Sequence, residues 1–142
     1  MLISEIHILP TSNTPEYYLN PEGVIKIKGR GLIETKNEVS ERIMSWIKEY
    51  LHNPAEITYV VIAFEYLNSS STAILVSIIK EITKVVLKMK KFDIQWYYEE
   101  DDDDILERGE YISSAFNIPI GFIPVSDIST TPKQSFSEED IS

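Results

Sequence analysis

Residues 57–67, Ile-Thr-Tyr-Val-Val-Ile-Ala-Phe-Glu-Tyr-Leu, form an almost unbroken apolar and aromatic run. A strand with one wet face alternates polar and apolar residues, whereas a run this rich in β-branched and aromatic side chains suits a strand covered on both faces. A central strand of that kind needs partners on either side and helices to cover it, so the flanking segments must supply them. On the N-terminal side, Val24-Ile25-Lys26-Ile27-Lys28 alternates with period two and predicts a strand with one wet face, ended by a turn at Gly29-Arg30-Gly31. Thr35 and Glu38 have the spacing of a capping box. Val39, Ile43, Trp46, Ile47, Tyr50 and Leu51 then form one apolar stripe, which predicts a helix over about 36–51, before Pro54. Upstream, Ile6, Ile8 and Leu9 lie among Pro10, Pro15 and Pro21, a pattern of extended or edge-strand chain.

Beyond the central run, Asn68-Ser69-Ser70-Ser71 precedes a second helical stripe from Ile74 and Leu75 through Ile78, Ile79, Ile82, Val85 and Val86 to Met89. That stripe closes in Lys88, Lys90 and Lys91, where cations suit the negative end of a helix. Residues 92–98 alternate as a strand, and the acidic run Glu99–Asp104 leads into a third helix with Ile105, Leu106, Ile112 and Phe116 facing inward. Ile118–Val125 reads as a last strand. Strands alternating with helices imply right-handed crossovers. The expected fold is an α/β single domain with a mixed, mostly parallel sheet, about three helices and an antiparallel N-terminal edge. Residues 1–125 would form the domain. Residues 126–142, rich in Ser, Thr and acids with little to bury, would form a disordered tail.

The chain of 142 residues is long enough for one core without metal or disulfide staples. It contains no cysteine, which excludes a disulfide scaffold, a thiolate zinc site, an iron–sulfur cluster and a cysteine nucleophile, and suits a reducing compartment. With 23 acids against 13 Lys and Arg, the net charge of −10 opposes binding to a phosphate backbone, so nucleic acid is not an expected partner. Met1-Leu2-Ile3-Ser4-Glu5 lacks the basic start of a signal peptide, and no apolar run reaches the roughly 18–20 residues of a membrane span. A cytoplasmic location without membrane insertion is expected.

Motifs for catalysis are sparse. His7 and His52 fall in different elements and suit surface or helix-end positions, and no G-x-S-x-G elbow accompanies a serine. Gly29-Arg30-Gly31 lacks the third glycine of a dinucleotide fingerprint, and there is no Walker motif. The run Glu99–Asp104 lacks the spacers and central glycine of a calcium loop, so its last aspartates read as helix caps. Neither a metal nor a cofactor is expected. The hydroxyls of Ser69, Ser70, Ser71 and Thr72 stand where unpaired backbone N–H groups and a positive dipole would receive a phosphate. Asn and Ser are also preferred N-caps for purely structural reasons, so the segment alone leaves both roles open.

The ordered segments Phe64-Glu65-Tyr66-Leu67-Asn68-Ser69-Ser70-Ser71, Thr14-Pro15, Trp46-Ile47 and Trp96-Tyr97-Tyr98-Glu99, with Asp103 to Glu110 following, resemble the SiaC family of regulatory phosphoproteins up to about Val125. The resemblance implies a fold like that of anti-sigma-factor antagonists (STAS-like) and a switch subunit in place of an enzyme. It further implies phosphorylation by a cognate serine/threonine kinase, removal of the group by a PP2C-type phosphatase, and binding of the unmodified form to an output partner such as a diguanylate cyclase. The register of Leu67-Asn68 makes Ser69 the implied acceptor, with Ser70 and Ser71 as alternatives; Asn68, Ser70 and Ser71 would shape the switch loop and partner contact. The competing expectation is a small-molecule or nucleotide-binding domain that uses the Ser69–Ser71 helix start as an anion site, against which the missing glycine-rich loop counts.

Overall fold

The computed structural model describes residues 3–32 and 37–130. Six strands lie in one sheet: β1 (Ile6–Ile8), β2 (Glu16–Asn20), β3 (Val24–Gly31), β4 (Ile57–Leu67), β5 (Lys91–Glu99) and β6 (Gly121–Val125). Their order across the sheet is their order in the chain. β1, β2 and β3 pair antiparallel; β3, β4, β5 and β6 pair parallel. Each parallel crossover carries one helix: α1 (Glu38–Tyr50), α2 (Ser69–Ile82) and α3 (Asp103–Phe116). The mixed, mostly parallel α/β domain with an antiparallel N-terminal edge is therefore as the pattern of residues predicts.

The helices cover one face of the sheet. Ile43 and Ile47 of α1, Leu75, Ile78 and Ile79 of α2, and Ile105 and Ile112 of α3 share one core with Ile25 and Ile27 of β3, Val60, Ile62 and Phe64 of β4, and Ile94 and Trp96 of β5. The alternate residues of the same strands point to the other face, where Val61, Ala63 and Tyr97 pack with Ile128. Val60 through Ala63 are each at most 1 % exposed, as expected of a strand buried on both sides. Among the described residues, no helix is long and apolar enough to cross a membrane.

Several local expectations shift. The strand β3 does not end before Gly29-Arg30-Gly31 but runs through it. Gly29 has φ +130° and the register slips between Gly29 and Arg30, so the glycine absorbs a bulge. The first helix starts at Glu38 because Asn37 and Ser40 form the reciprocal cap: Asn37 Oδ1 accepts from the Ser40 N–H at 2.9 Å, and Ser40 Oγ from the Asn37 N–H at 3.1 Å. Thr35, the expected cap, lies outside the described residues. The second helix ends at Ile82 and tightens into a 3₁₀ segment, Thr83–Lys88, closed by Met89 at φ +63°. Three residues per turn keep Val85 buried beneath Ile82 and swing the rest of the expected stripe outward, leaving Val86 and Met89 exposed. Phe116, expected inward, is the last residue of α3 and lies exposed beneath Lys80, whose Nζ is 5.0 Å from the ring centre. The last strand is confined to Gly121–Val125, with Ile118 buried in the approach to it. After it Ile128–Thr130 makes a 3₁₀ turn; residues 131–142, the rest of the expected tail, lie outside the described residues.

Gly109 lies inside α3, where glycine costs about 1 kcal/mol relative to alanine. A Cβ there would come within 2.6 Å of Trp96 Cε2 and 2.7 Å of Phe122 Cε1. The glycine therefore sets how closely α3 approaches β5 and β6. Gly109→Ala is expected to lose a net 1–2 kcal/mol, roughly, because overpacking outweighs the gain in helix propensity; urea unfolding measures it. Tyr17 is 4 % exposed, and burial raises its hydroxyl from 10.0 to about 12. The folded state resists ionising it. Its contribution to stability is thus complete below pH 10 and lost as pH rises towards 12, by about 2–3 kcal/mol. Tyr17→Phe is expected to flatten that part of the alkaline limb in urea unfolding at stepped pH.

Candidate functional site

The strand β4 ends in buried Leu67, and the next residue, Asn68, turns the chain into α2. Its backbone N–H donates to Gly31 O at 2.9 Å, tying the turn to the end of β3. Its side-chain oxygen accepts from the Ser71 N–H at 2.8 Å, and its carbonyl accepts from the Thr72 N–H at 2.9 Å and from Thr72 Oγ1 at 2.8 Å. Asn68 is thus the N-cap of α2, satisfying donors that a helix start leaves orphaned.

The three serines that follow are not equivalent. Ser69, the first residue of the helix, is exposed; Ser70 is half-buried; Ser71 is only 7 % exposed. Ser71 lies against Gly31, where a Cβ would come within 2.8 Å of Ser71 Cβ and 2.9 Å of Leu67 Cδ2. Gly31, read from the sequence as part of a turn, is the close approach that lets the helix start settle on the end of β3. The Asn68 side chain and the Ser71 N–H close the start of α2, and Ser69 alone of the three serines is exposed.

Ser69 lines an open groove between α2 and α3 together with Thr72, Ala73, Asp104, Glu107, Arg108 and Tyr111. Arg108 Nη1 donates to Thr72 Oγ1 at 3.2 Å, and Arg108 Nε donates to Asp104 Oδ2 at 3.1 Å. Since Thr72 Oγ1 donates to the Asn68 carbonyl, one chain of hydrogen bonds runs from Asp104 through Arg108 and Thr72 to the cap. Tyr111 stands 68 % exposed beside it. On the far side of the turn Arg30 Nη1 pairs with Glu65 Oε1 at 3.0 Å, and Tyr66 is about half exposed. The i, i+4 spacing of Asp104 and Arg108 is legible in the sequence; their meeting with Thr72, 36 residues away, is not.

Neither histidine lines the groove. His7 Nε2 is 2.6 Å from Glu16 Oε2 at the N-terminal edge, and His52 Nδ1 is 3.6 Å from Glu49 Oε2 after α1. The acidic run is divided among separate tasks: Glu99 accepts from the Ile128 N–H, Asp102 caps α3 through the Ile105 N–H, and Asp104 holds Arg108. Among the described residues no three His, Asp or Glu side chains are placed to hold a metal.

Removing the cap should weaken the turn. Asn68→Ala is expected to cost about 1 kcal/mol in urea unfolding, and Asn68→Asp, which keeps the acceptor, only a few tenths.

The fold is that of solved structures from Pseudomonas aeruginosa. Apo-SiaC superposes with a TM-score of 0.74 at 20 % identity, covering 85 % of this chain and 99 % of that one. A second SiaC structure gives 0.72 at 18 % identity, covering 87 % and 98 %. A structure of the diguanylate cyclase SiaD in complex with its activator SiaC gives 0.76 at 18 % identity, covering 84 % and 99 %. No curated protein sequence matches the chain. The profile described as SiaC family regulatory phosphoprotein matches residues 8–125, the span that holds all six strands, all three helices and the Asn68–Ser71 turn except for the first two residues of β1. The chain therefore belongs to the SiaC family of regulatory phosphoproteins.

Proposed function

We propose that the chain is a non-enzymatic, cytoplasmic switch subunit of a partner-switching pathway, controlled by phosphorylation of Ser69. The observation that carries this reading is the graded exposure of the three serines, with Ser69 open at the first position of α2 and Ser71 enclosed. The family's character as regulatory phosphoproteins supports it. In the modifying step Ser69 Oγ, on a cognate serine/threonine kinase, attacks the γ-phosphorus of a nucleoside triphosphate. The bond to the β-phosphate oxygen breaks, and the hydroxyl proton passes to the kinase's base. A PP2C-type phosphatase returns the serine by hydrolysis.

The geometry gives the phosphate a defined effect. It adds about −1.5 to −2 charges at a helix start, where unpaired N–H groups and the dipole tolerate it, so the domain need not refold. Asp104 and Glu107 already line the groove, and Arg108 is engaged by Asp104 and Thr72. The new dianion therefore makes the groove strongly anionic, beside the exposed ring of Tyr111. A partner seated there on the unmodified form would have to desolvate that charge, so phosphorylation acts by release. The SiaC–SiaD complex identifies a diguanylate cyclase as the output partner of a similar protein, and a diguanylate cyclase is the partner we assign to this one.

Incubation with the cognate kinase is expected to label the wild type, Ser70→Ala and Ser71→Ala to completion and to leave Ser69→Ala unlabelled. Stoichiometric labelling of Ser69→Ala overturns the assignment. Phosphorylated protein should bind the cyclase at least tenfold more weakly than unmodified protein, a difference of about 1.4 kcal/mol, while Ser69→Ala binds as wild type. In the same series a nucleotide alone is expected to leave the melting temperature unchanged. A nucleotide site filled at about 100 times its Kd would add roughly 2.7 kcal/mol of stability and would favour the anion-site reading instead.

A further inference from the structure

Of the seven large apolar or aromatic side chains exposed among the described residues, three, Val86, Leu87 and Met89, fall within four consecutive positions. They sit beyond the end of α2 farthest from Ser69. Single exposed apolar residues are ordinary, whereas a contiguous cluster marks a contact surface. Leu87 is 77 % exposed and Met89 93 %, so these side chains project from a tip and line no cleft. The backbone holds them out. The Met89 N–H donates to the Val86 carbonyl at 3.0 Å and the Lys90 N–H to the Val85 carbonyl at 3.2 Å, closing the 3₁₀ segment and turning the chain into β5. Two non-glycine residues among those described have positive φ, Asn117 and Met89. Asparagine takes that left-handed conformation with little strain; methionine does not. A long apolar side chain kept at a strained position, almost wholly in water, is what the packing of the fold leaves unaccounted for.

The charge around the tip is opposite in sign to that of the chain. Residues 80–91 hold five lysines, Lys80, Lys84, Lys88, Lys90 and Lys91, and one acid, in a chain of net charge −10. Glu81 pairs with Lys84 and Glu56 with Lys90, and Asp93 follows in β5; these acids offset part of the cationic charge and leave a surplus. The acidic run begins at Glu99, the far end of β5, nine residues of about 3.3 Å each from the tip. Screening acts over about 8 Å at physiological salt, so an approaching surface meets the tip as a cation. We infer that Leu87 and Met89 enter the headgroup boundary of an anionic lipid surface, with the surrounding lysines against its phosphates. Aliphatic side chains ringed by ammonium groups match acyl chains beneath phosphate, and lysine stems bury while their heads stay wet. A peptide partner would need a walled groove, which side chains this exposed do not provide. In this orientation α2, fourteen residues and about 21 Å long, holds Ser69 and its groove away from the lipid.

The full chain is sedimented with vesicles of phosphatidylcholine alone and of phosphatidylcholine with phosphatidylglycerol in equal parts. Expected is partition onto the anionic vesicles about tenfold stronger than onto the neutral ones. Both Lys88→Glu with Lys91→Glu and Leu87→Gln with Met89→Asn are expected to fall to the neutral level. Asparagine suits the left-handed position, so the second variant keeps the turn. Nitroxide-bearing lipid in anionic bicelles is expected to broaden the amide signals of Val86–Lys90 and to spare those of Ser69–Thr72. Equal partition onto the two vesicles, or unchanged partition of either double variant, overturns the inference, as does broadening at Ser69–Thr72. Shifts of the Val86–Lys90 signals on adding polyglutamate, without vesicle binding, also overturn it, because the tip then serves an acidic protein segment. Ser69→Ala is expected to partition as the wild type, so the result is independent of the reading of Ser69 as the switch.

Discussion

Burial of β4 on both faces is the constraint from which the remainder of the molecule follows. Val60, Ile62 and Phe64 are removed from water on the helix side by α1, α2 and α3, and Val61 and Ala63 on the other side by Tyr97 and Ile128. A central strand so enclosed cannot slip by one residue without exchanging its two apolar faces. Its end is therefore fixed in space, and with it the position of Asn68. The turn inherits its position from the strand, and the Asn68 hydrogen bonds then hold its shape.

That precision is then used to separate three chemically identical side chains. Asn68 pins the turn by its N–H to Gly31, its carbonyl to Thr72 and its side chain to the Ser71 N–H. The helical rotation of about 100° per residue does the rest, carrying Ser69 out to solvent and Ser71 inward against a glycine that has no side chain to obstruct it. The groove beside Ser69 is charged and internally paired, since Arg108 joins Asp104 to Thr72.

Much of this was legible in the residues. The apolar run at 57–67, the two-residue period at 24–28, the stripe at 39–51 and the part of the stripe at 74–89 that ends at Ile82 depend on burial patterns within single elements, and each of these appears where the sequence predicts it. The differences arose where a tertiary partner decides. Gly31 reads as a turn until Ser71 is known to lie against it. The second stripe continues in the sequence through Met89, yet the backbone tightens at Thr83 to keep Val85 in the core. Arg108 and Thr72 are separated by 36 residues, and no local spacing connects them. Gly109 carries no local signal either, because its role is to leave room for the rings of Trp96 and Phe122.

The strands of this sheet are ordered in space as they are in the chain. Each strand therefore finds its first partner in the one synthesised just before it, and the sheet can grow by addition at a single edge as the chain leaves the ribosome. By the time Asn68 emerges, Gly31 and the whole of β3 have already been made, so the acceptor that anchors the turn is present before the serines that depend on it. The final strand, β6, then closes a sheet in which every earlier neighbour is already in place.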